Sequence, residues 1–198
     1  MGTVIFLDMG TRRSEGESRP QLVGERVTLR AFRASDAIER KAIGPDPEIR
    51  RMYGISNDSS PSSPENARAW YKRQRQHPCS WAIEYRDRLV GSTRLGVIHD
   101  ERRARFAIGM YSSEFTGIGL GTEAAILVLG YAFTDLQLHR VDLRVIAYNR
   151  RAIRSYERVG FSLEGRERET VLVNGEWHDD RIMGIIDSEY RRRYSTGE

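Results

Sequence analysis

The sequence predicts an α/β domain, and three observations support that class. The 198 residues contain 39% hydrophobic side chains, enough for one good core. Helix-like and strand-like segments both occur, and glycine, proline and asparagine separate them. The last two strand-like segments meet at Asn174-Gly175, which is a strong signal for an antiparallel hairpin.

Local signals place the elements in order along the chain. Gly44-Pro45-Asp46-Pro47 breaks a helix that Ser35-Asp36 caps, and Ser63-Pro64 combines an N-cap residue with proline at the first helical position. Runs of alternating apolar residues indicate strands. The expected elements are a strand over 27–32, helices over 35–43, 48–53 and 63–76, strands over 80–85, 89–97 and 105–111, a helix over 124–133, a strand over 141–146, a helix over 149–159, and strands over 161–173 and 176–186.

We expect one domain over residues 21–190, with a tail at each end. Residues 1–20 are polar and rich in Gly, Ser, Glu and Arg, which is typical of a flexible terminus. Residues 191–198 are assigned to a C-terminal tail, and residues 56–64 to a loop inside the domain. The sequence shows neither an internal repeat nor a second domain.

Composition narrows the classes of function. The formal net charge of +4 suits a phosphorylated cofactor or an acidic partner and is too modest to require nucleic acid. No aromatic residues alternate with the basic clusters, as single-strand RNA binding needs, and the four histidines are scattered without metal-ligand spacing. No apolar run approaches the length that crosses a bilayer. The single cysteine, Cys79, fits a reducing compartment, so we expect a cytoplasmic protein without membrane, metal or nucleic-acid partners.

The segment from Phe115 to Ala124 predicts an anion site. Gly117, Gly119 and Gly121 lie there between a strand-like run and an apolar helical run. The first amides of a helix have no internal partner, and glycines let a phosphate approach them closely. The spacing matches neither a P-loop, which needs a following lysine, nor the dinucleotide fingerprint G-x-G-x-x-G. The alternative is that the glycines only shape the turn.

A second motif follows at residues 149–161. Asn149 is a suitable helix N-cap, Gly160 suits the position after a helix end, and Tyr156 lies on the apolar face. Together the two motifs resemble the GCN5-related N-acetyltransferases (GNAT), in particular the branch that acetylates the N-termini (alanine or serine) of ribosomal proteins and its small-molecule relatives. The acetyl-CoA loop of that family reads Q/R-x-x-G-x-G/A, with Thr116 in its first position here. The family signature N-x-x-A-x-x-x-Y-x-x-x-G-F matches without a gap.

The resemblance implies a GNAT fold with a mixed, mostly antiparallel central sheet, a splayed strand pair and helices on both faces. Residues 22–30 look like the first strand of the ribosomal branch, and residues 173–180 look like its ending. Acetyl-CoA is the implied cosubstrate, with pantetheine between the splayed strands and the pyrophosphate on the glycine loop. The implied cofactor-binding residues are Met110, Tyr111, Ser112, Thr116, Gly117, Ile118, Gly119, Leu120, Gly121, Thr122, Asn149 and Tyr156.

The resemblance also implies catalytic groups. Tyr156 matches a family tyrosine near the CoA sulfur, and a phenol can protonate a departing thiolate. The alternative is that Tyr156 only packs its helix against the sheet. Many relatives carry a glutamate base two residues before the glycine of the splayed strand, but here Ala107 stands two residues before Gly109. Glu84, Ser112 and a chain of water molecules remain as candidates for the general base.

We therefore expect an N-acyltransferase that moves an acetyl group directly from acetyl-CoA to a primary amine. The acceptor is a peptide or protein N-terminus or a small amino metabolite, and both a monomer and a homodimer fit the sequence. Trp177, Asp179 and Asp180 form either a negatively charged wall for the acceptor or an exposed turn with a structural salt bridge. The alternatives are a catalytically silent acyl-CoA-binding regulatory module, a longer acyl-CoA donor such as succinyl-CoA, and, with the poorest match, a nucleotide-dependent oxidoreductase.

Overall fold

The computed structural model describes residues 19–55 and 63–194. Its strands are β1 (Leu22–Val23), β2 (Thr28–Arg30), β3 (Ser80–Tyr85), β4 (Arg88–Ile98), β5 (Arg103–Met110), β6 (Arg140–Ile146), β7 (Ser162–Val173) and β8 (Glu176–Ile186). Its α-helices are α1 (Ser35–Ile43), α2 (Pro47–Met52), α3 (Pro64–Gln76), α4 (Leu120–Gly130), α5 (Arg150–Val159) and α6 (Asp187–Tyr194). A 3-10 turn covers Ser113–Phe115, and a π-helical turn, Tyr131–Asp135, extends α4.

The strands form one open sheet in the order β1-β2-β3-β4-β5-β6-β8-β7. All neighbours are antiparallel except β5 and β6, which are parallel. Tight turns join β3 to β4 and β7 to β8. Both central residues of each turn have positive φ, 50° and 60° at Arg86 and Asp87 and 50° and 87° at Asn174 and Gly175. That backbone matches the twist of the hairpin strands, and it confirms the hairpin expected at Asn174-Gly175.

The two faces of the sheet bury separate hydrophobic cores, as an α/β sheet covered on both sides requires. Successive side chains of a strand point to opposite faces, so Trp81 belongs to one core and Ala82 to the other. The larger core contains buried residues of α4, α5 and α6. The smaller core contains Trp70 of α3, which packs edge-on against Phe32 at 5.6 Å between ring centroids. Helices therefore lie on both faces, as the resemblance implied.

The expected first strand is shorter than the sequence indicates. Instead of one strand through residues 22–30, two short strands flank a turn closed by a hydrogen bond from the Gly24 amide to the Val27 carbonyl. The Glu123 carboxylate on α4 accepts hydrogen bonds from the amides of Arg26 and Val27, at 2.8 and 3.1 Å. A Cβ at Gly24 would stand 2.2 Å from that carboxylate. The turn thus depends on a residue almost a hundred positions away.

Three helix starts also differ from expectation. Asp36 does not cap α1, because its side chain is buried and binds the Arg30 guanidinium at 2.8 and 2.9 Å. Helix α4 begins at Leu120 and not at 124, so the last glycine of the loop and Thr122 lie in its first turn. Gly119 has φ 92° and forms the left-handed entry to the helix. Pro47, read as part of a helix break, is the first residue of α2, with Asp46 as its N-cap.

The ends of the described chain are attached to the domain. The Arg19 guanidinium donates to the His77 carbonyl at 2.6 Å, and the Pro20 carbonyl accepts from the Trp81 indole at 2.8 Å. Helix α6 continues through residue 194, so the expected boundary at residue 190 falls inside a helix. The rest of both expected tails, and most of the loop over 56–64, lie outside the described residues. Among the helices of the described ranges, none combines the length and the hydrophobicity of a membrane span.

Candidate functional site

The central feature of the sheet is the gap between β5 and β6. The two strands pair only at Arg103–Arg105 with Arg140–Asp142, and they separate beyond that point. The Met110 amide donates its hydrogen bond to a side chain in the gap and not to β6. Because backbone groups alternate along a strand, the Ile108 amide also faces the gap. An unpaired strand edge of this kind can pair with an extended ligand.

A cleft opens from this gap and encloses about 780 Å³ including its mouth. Its walls come from α2, the end of β5, the glycine loop, the start of α4, and α5. Mainly apolar and uncharged polar groups line it, as in most ligand pockets. The lining residues are Ile49, Met52, Tyr53, Ile108, Met110, Phe115, Thr116, Gly117, Gly119, Gly121, Thr122, Asn149, Arg151, Ala152, Ser155, Tyr156 and Arg158.

The glycine loop presents a row of amides to this cleft. Gly117 and Gly119 have φ 76° and 92°, a left-handed backbone that favours glycine. The first helical hydrogen bond of α4 runs from the Glu123 amide to the Gly119 carbonyl at 3.1 Å. Within the described residues, the six amides of 117–122 have no backbone or side-chain acceptor. Consecutive free amides at a helix N-terminus are the arrangement that binds phosphate groups.

The charge around the loop is positive. Arg151 and Arg158 line the cleft, and among its described lining residues there is no carboxylate. Glu48 of α2 pairs with Arg151 at 2.9 Å and neutralises part of this charge. The Arg26 guanidinium donates to the Ile118 carbonyl at 2.6 Å, which holds the loop from behind. The cleft therefore suits an anionic ligand.

Tyr156 projects from the middle of α5 into the cleft. Its ring packs edge-on against Phe106 and Phe161, at 6.4 and 6.0 Å between centroids. Burial raises the pKa of the Tyr156 phenol well above its ordinary value, and the nearby Tyr53 adds to the shift. No group in the described part of the chain hydrogen-bonds the Tyr156 hydroxyl. A protonated phenol thus faces the cleft with its proton available.

Asn149 connects the start of α5 to the end of α2. Its side-chain oxygen accepts from the Ala152 amide at 3.1 Å, which caps α5 as expected. Its side-chain nitrogen donates to the Met52 carbonyl at 3.0 Å. Asn149 is 5% exposed and still lines the cleft. The side chain is a structural link between two cleft walls, and its ligand-binding role stays a prediction.

Tyr53 is a cleft residue that the sequence did not indicate. Its hydroxyl accepts a hydrogen bond from the Met110 amide at 2.9 Å, across the gap from α2 to β5. Asp46 fixes α2 beside the glycine loop, because its carboxylate caps the helix and also accepts from the Ser113 amide at 2.7 Å. A helix start at Asp46-Pro47 was visible in the sequence, but no local signal shows which strand a six-residue helix will contact.

The structure separates the expected cofactor-binding residues into two groups. Eight line the cleft: Met110, Thr116, Gly117, Gly119, Gly121, Thr122, Asn149 and Tyr156. The side chain of Tyr111 lies in the smaller core, edge-on to Trp70 at 6.0 Å, and its amide bonds to the Val90 carbonyl. Leu120 is fully buried, and Ile118 is exposed on the outer side of the loop. Ile118 and Leu120 therefore face the cleft through their backbone only, and Tyr111 and Ser112 are not among its lining residues.

The candidates for the general base do not line the cleft. Glu84 extends toward Arg30 and Arg33, whose guanidinium groups lie 2.5 and 3.2 Å from the Glu84 carboxylate. The Ser112 hydroxyl accepts from the Glu114 amide at 3.3 Å and caps the 3-10 turn. Neither Glu84 nor Ser112 is among the residues that line the cleft beside Tyr156.

The expected substrate wall is an exposed hairpin end. Trp177 is 58% exposed, and Asp179 is held by Arg166 and by the Glu169 amide. Asp180 is half-buried in β8, where burial raises the pKa of its carboxyl. Of the two interpretations, the geometry matches the exposed turn with a structural salt bridge. In the described ranges, no group of three or more His, Cys, Asp or Glu is arranged to hold a metal ion.

The residues present fit the implied acyl-CoA. A Cβ at Gly117 would meet no atom within 4 Å, so the space beside the free amides is open to a ligand. Pyrophosphate suits those amides, and phosphates suit Arg151 and Arg158. The long gap between β5 and β6 suits an extended, amide-containing arm. Each of the three parts of the ligand therefore has a chemically matching surface.

Comparisons with known proteins point to one family. The model of the acetyltransferase (GNAT) domain matches residues 26–162. Over 98 residues the chain is 38% identical to the spermidine N(1)-acetyltransferase of Escherichia coli (strain K12), covering 50% of this chain and 52% of that one. It is 29% identical to a Bacillus subtilis (strain 168) protein named "Putative ribosomal N-acetyltransferase YdaF", covering 85% of this chain and 95% of the relative.

A solved structure gives the same result at the level of fold. The spermidine N-acetyltransferase from Vibrio cholerae, in complex with CoA and spermine, superposes with a TM-score of 0.71 and 26% identity. The match covers 84% of this chain and 99% of that chain. The first curated relatives are matched over only about half of their length, 58% and 52%. Because the family model spans well over half of the chain, the protein belongs to the GNAT acetyltransferase family.

Proposed function

We propose that the protein is an N-acetyltransferase that moves an acetyl group from acetyl-CoA to a primary amine. One observation carries the proposal: the free amides of the glycine loop, the open edge of β5 and the Tyr156 phenol all face one cleft. Acyl transfer from a CoA thioester requires a site for the phosphates of CoA, a site for its pantetheine arm and a donor that protonates the departing thiolate. Family membership and the two relatives that are named as spermidine acetyltransferases support it.

The thioester supplies an acyl group activated for attack by an amine. The amides of residues 117–122 hold the pyrophosphate, and Arg151 and Arg158 add favourable charge. The edge of β5 orients the arm so that the sulfur lies near Tyr156. As the carbon–sulfur bond breaks, the Tyr156 hydroxyl gives its proton to the sulfur and is reprotonated from solvent. Such general acid assistance typically contributes about 10²–10⁴-fold.

We assign the removal of the amine proton to water. Glu84 is engaged with two arginines outside the cleft, and the Ser112 hydroxyl caps a turn. The cleft lining in the described residues contains no carboxylate or histidine that accepts a proton. If the amine enters the cleft in its neutral form, it has to lose one proton after it attacks the carbonyl, and a water molecule can take that proton.

The acceptor we favour is a peptide N-terminus or a small amine with little positive charge elsewhere. Arg151 and Arg158 give the cleft a positive lining, which repels a polycation at long range. The relatives named for spermidine acetylation make polyamines the necessary comparison. The second candidate function is a catalytically silent acyl-CoA-binding module. The Tyr156 hydroxyl argues against it, because a module without turnover does not need a proton donor in the cleft.

The test is calorimetric titration of acetyl-CoA, with NAD and ATP as controls, followed by thiol release across peptide N-termini, small amines and polyamines. We expect acetyl-CoA binding and amine-dependent thiol release. Binding without release on the whole panel would favour the silent module. Absence of acetyl-CoA binding would overturn the proposal, because the glycine loop would then need another ligand.

A further inference from the structure

The Tyr53 hydroxyl occupies the place where β5 leaves β6. It accepts the Met110 amide hydrogen at 2.9 Å. A Cβ at Gly109 would stand 3.8 Å from both the ring carbon Cζ and the hydroxyl oxygen of Tyr53, so the phenol lies against the backbone of residues 109–110. Among the described residues, no acceptor binds the Tyr53 hydroxyl proton. This proton is therefore free to reach a ligand in the cleft.

The occupied amide changes which group can polarise a carbonyl in the gap. An amide has one hydrogen, and the Met110 hydrogen already points to the Tyr53 oxygen. A ligand carbonyl that approaches this end of β5 meets the phenol first. A hydroxyl that accepts one hydrogen bond becomes a better donor in the next, because the two bonds polarise each other. The amide and the phenol thus form a two-step donor chain that ends in the cleft.

Neighbouring contacts hold Tyr53 in this position. The Tyr53 amide donates to the Ile49 carbonyl at 3.0 Å, which continues the last turn of α2. Asn149 binds the Met52 carbonyl, and the Tyr148 hydroxyl binds the Arg51 carbonyl. The two residues before Tyr53 are thereby tied to the start of α5. A preorganised donor needs this support, since reorientation during reaction would reduce its effect.

We propose that Tyr53 is a catalytic residue whose hydroxyl donates a hydrogen bond to the acyl carbonyl oxygen, with the Met110 amide behind it. The inference rests on the proposed acetyl transfer. When the amine lone pair forms the carbon–nitrogen bond, the carbonyl π electrons move to the oxygen, where the Tyr53 proton stabilises them. As the carbonyl re-forms, the carbon–sulfur bonding pair leaves with the sulfur, which takes the Tyr156 proton, and water takes the amine proton. Tyr53 keeps its own proton throughout, and burial raises its pKa, which favours that state.

The test uses the infrared stretch of the acyl carbonyl, so it needs no knowledge of the acceptor. Full-length protein is mixed with acetyl-CoA labelled with ¹³C at the carbonyl, without an amine, and difference spectra isolate the bound carbonyl. We expect the stretch to lie at lower frequency on the wild-type protein than in water, and to lose that shift in Tyr53→Phe. Tyr194→Phe is the matched control, because its hydroxyl also binds a backbone carbonyl, that of Val159, but lies outside the cleft lining and away from α2. It should leave the shift unchanged.

Two further measurements separate the outcomes. Calorimetry with wild-type protein comes first, and absence of acetyl-CoA binding there would overturn the proposed function and this inference together. Binding with the same stretch in wild type and Tyr53→Phe would overturn only the role of Tyr53, and so would an unchanged kcat, since loss of one such donor typically costs about 10²–10³-fold. If Tyr53→Phe also weakens binding of unacylated CoA, fluorotyrosine at position 53 replaces it. The more acidic phenol should lower the stretch further, and no further lowering would overturn the inference.

Discussion

Tyr156 reaches the cleft from α5 between two aromatic rings, and that position decides its chemistry. Phe106 and Phe161 exclude water from one side of the phenol, and burial raises its pKa above the ordinary value near 10. An acid with a raised pKa keeps its proton at neutral pH, so the phenol is protonated when the acyl group is transferred. The departing thiolate on the cleft side is the group that can take this proton, whereas the surrounding rings accept none.

Replacement of Tyr156 by Phe should separate proton donation from packing. The Phe variant keeps both ring contacts, so acetyl-CoA affinity should remain near wild type. Because general acid help typically contributes about 10²–10⁴-fold, we expect kcat to fall by about two to four orders of magnitude. Tyr194→Phe is a suitable control, since that hydroxyl binds the Val159 carbonyl outside the cleft lining. Unchanged turnover in Tyr156→Phe would remove this phenol from the mechanism.

The raised pKa of Tyr156 also predicts the pH dependence of turnover. A group whose pKa lies above 10 remains protonated through the range from pH 7 to about 10. With a peptide acceptor, kcat/KM should therefore rise as the α-ammonium group loses its proton near pH 8, and Tyr156 should cause no fall below about pH 10. A descending limb below pH 9 that disappears in Tyr156→Phe would contradict the assignment.

Gly121 offers a test of the glycine loop that does not strain the backbone. It lies in the first turn of α4, and a Cβ there would meet only Ile108, at an ordinary 3.9 Å. Alanine favours a helix over glycine by up to about 1 kcal/mol, so Gly121→Ala should fold at least as well as wild type. Its methyl group would stand in the cleft beside the free amides. We expect the Kd for CoA, measured by calorimetry, to rise by about tenfold or more, equivalent to about 1.4 kcal/mol.

The comparison for this variant is Gly96→Ala. Gly96 is exposed on β4, outside the cleft, and a Cβ there would meet only the Arg105 carbonyl at 3.8 Å. Its Kd for CoA should equal that of wild type. Equal affinities in Gly121→Ala and Gly96→Ala would show that the first turn of α4 does not hold the ligand.

Single residues also show what a sequence can and cannot predict about the site. Gly117 and Gly119 were predictable because their positive φ values restrict the choice of residue, so the backbone geometry leaves a visible signal. Tyr156 was found through a motif. Tyr53 had no such signal, since a tyrosine after a short helix is ordinary and its importance arises from a contact 57 positions away. Glu84 seemed free for chemistry because its partners, Arg30 and Arg33, are remote in sequence.

Among the elements, α2 contributes most to the cleft for its length. Asp46 caps it with bonds to the Glu48 and Ile49 amides and also binds the Ser113 amide of the 3-10 turn. Burial raises the pKa of the Asp46 carboxyl, but these backbone hydrogen bonds outweigh it and leave the pKa below its ordinary value of 3.8. The stabilisation is therefore present above about pH 4 and is lost as the pH falls through the lowered value.

Asp46→Ala and Asp46→Asn test this junction. Loss of an N-cap costs about 1 kcal/mol, so Asp46→Ala should lower the free energy of unfolding by at least that amount at pH 7. Asn caps helices as well as Asp but carries no charge, so Asp46→Asn should be destabilised less. Urea titrations should show the difference between wild type and Asp46→Asn shrinking below about pH 4. A difference that stays constant from pH 7 to pH 3 would contradict the lowered pKa.

Element boundaries that depend on remote contacts were the least predictable. Helix α3 begins at Ser63-Pro64 as expected, because both of its start signals are local. Helix α4 begins four residues earlier than expected, because the left-handed residue at Gly119 and not the apolar run decides its start. The split between β1 and β2 depends on Glu123, which no local pattern connects to residues 24–27.

At the scale of the whole molecule, the sheet consists of two paired halves that separate in the middle, between β5 and β6. Strands β3, β4 and β5 pair along nearly their full length, β6 pairs with β8 along all of its length, and β7 pairs with β8 at both of its ends. The two halves join through only three residue pairs of β5 and β6. An acyl-CoA in the gap would bridge the halves, so ligand binding should stabilise the molecule as a unit.

Acetyl-CoA should therefore raise the Tm of the full chain and protect the gap from hydrogen exchange. At a ligand concentration of about 100 times Kd, binding contributes about 2.7 kcal/mol, which corresponds to roughly 5–10 °C for a chain of this size. Slower exchange should appear at residues 106–110 of β5 and 117–122 of the loop, whereas the terminal hairpin, which lies outside the cleft lining, should change little. A rise in Tm with protection confined to other segments would place the ligand elsewhere. A rise that is equally large in Gly121→Ala would show that the free amides of the loop contribute nothing to it.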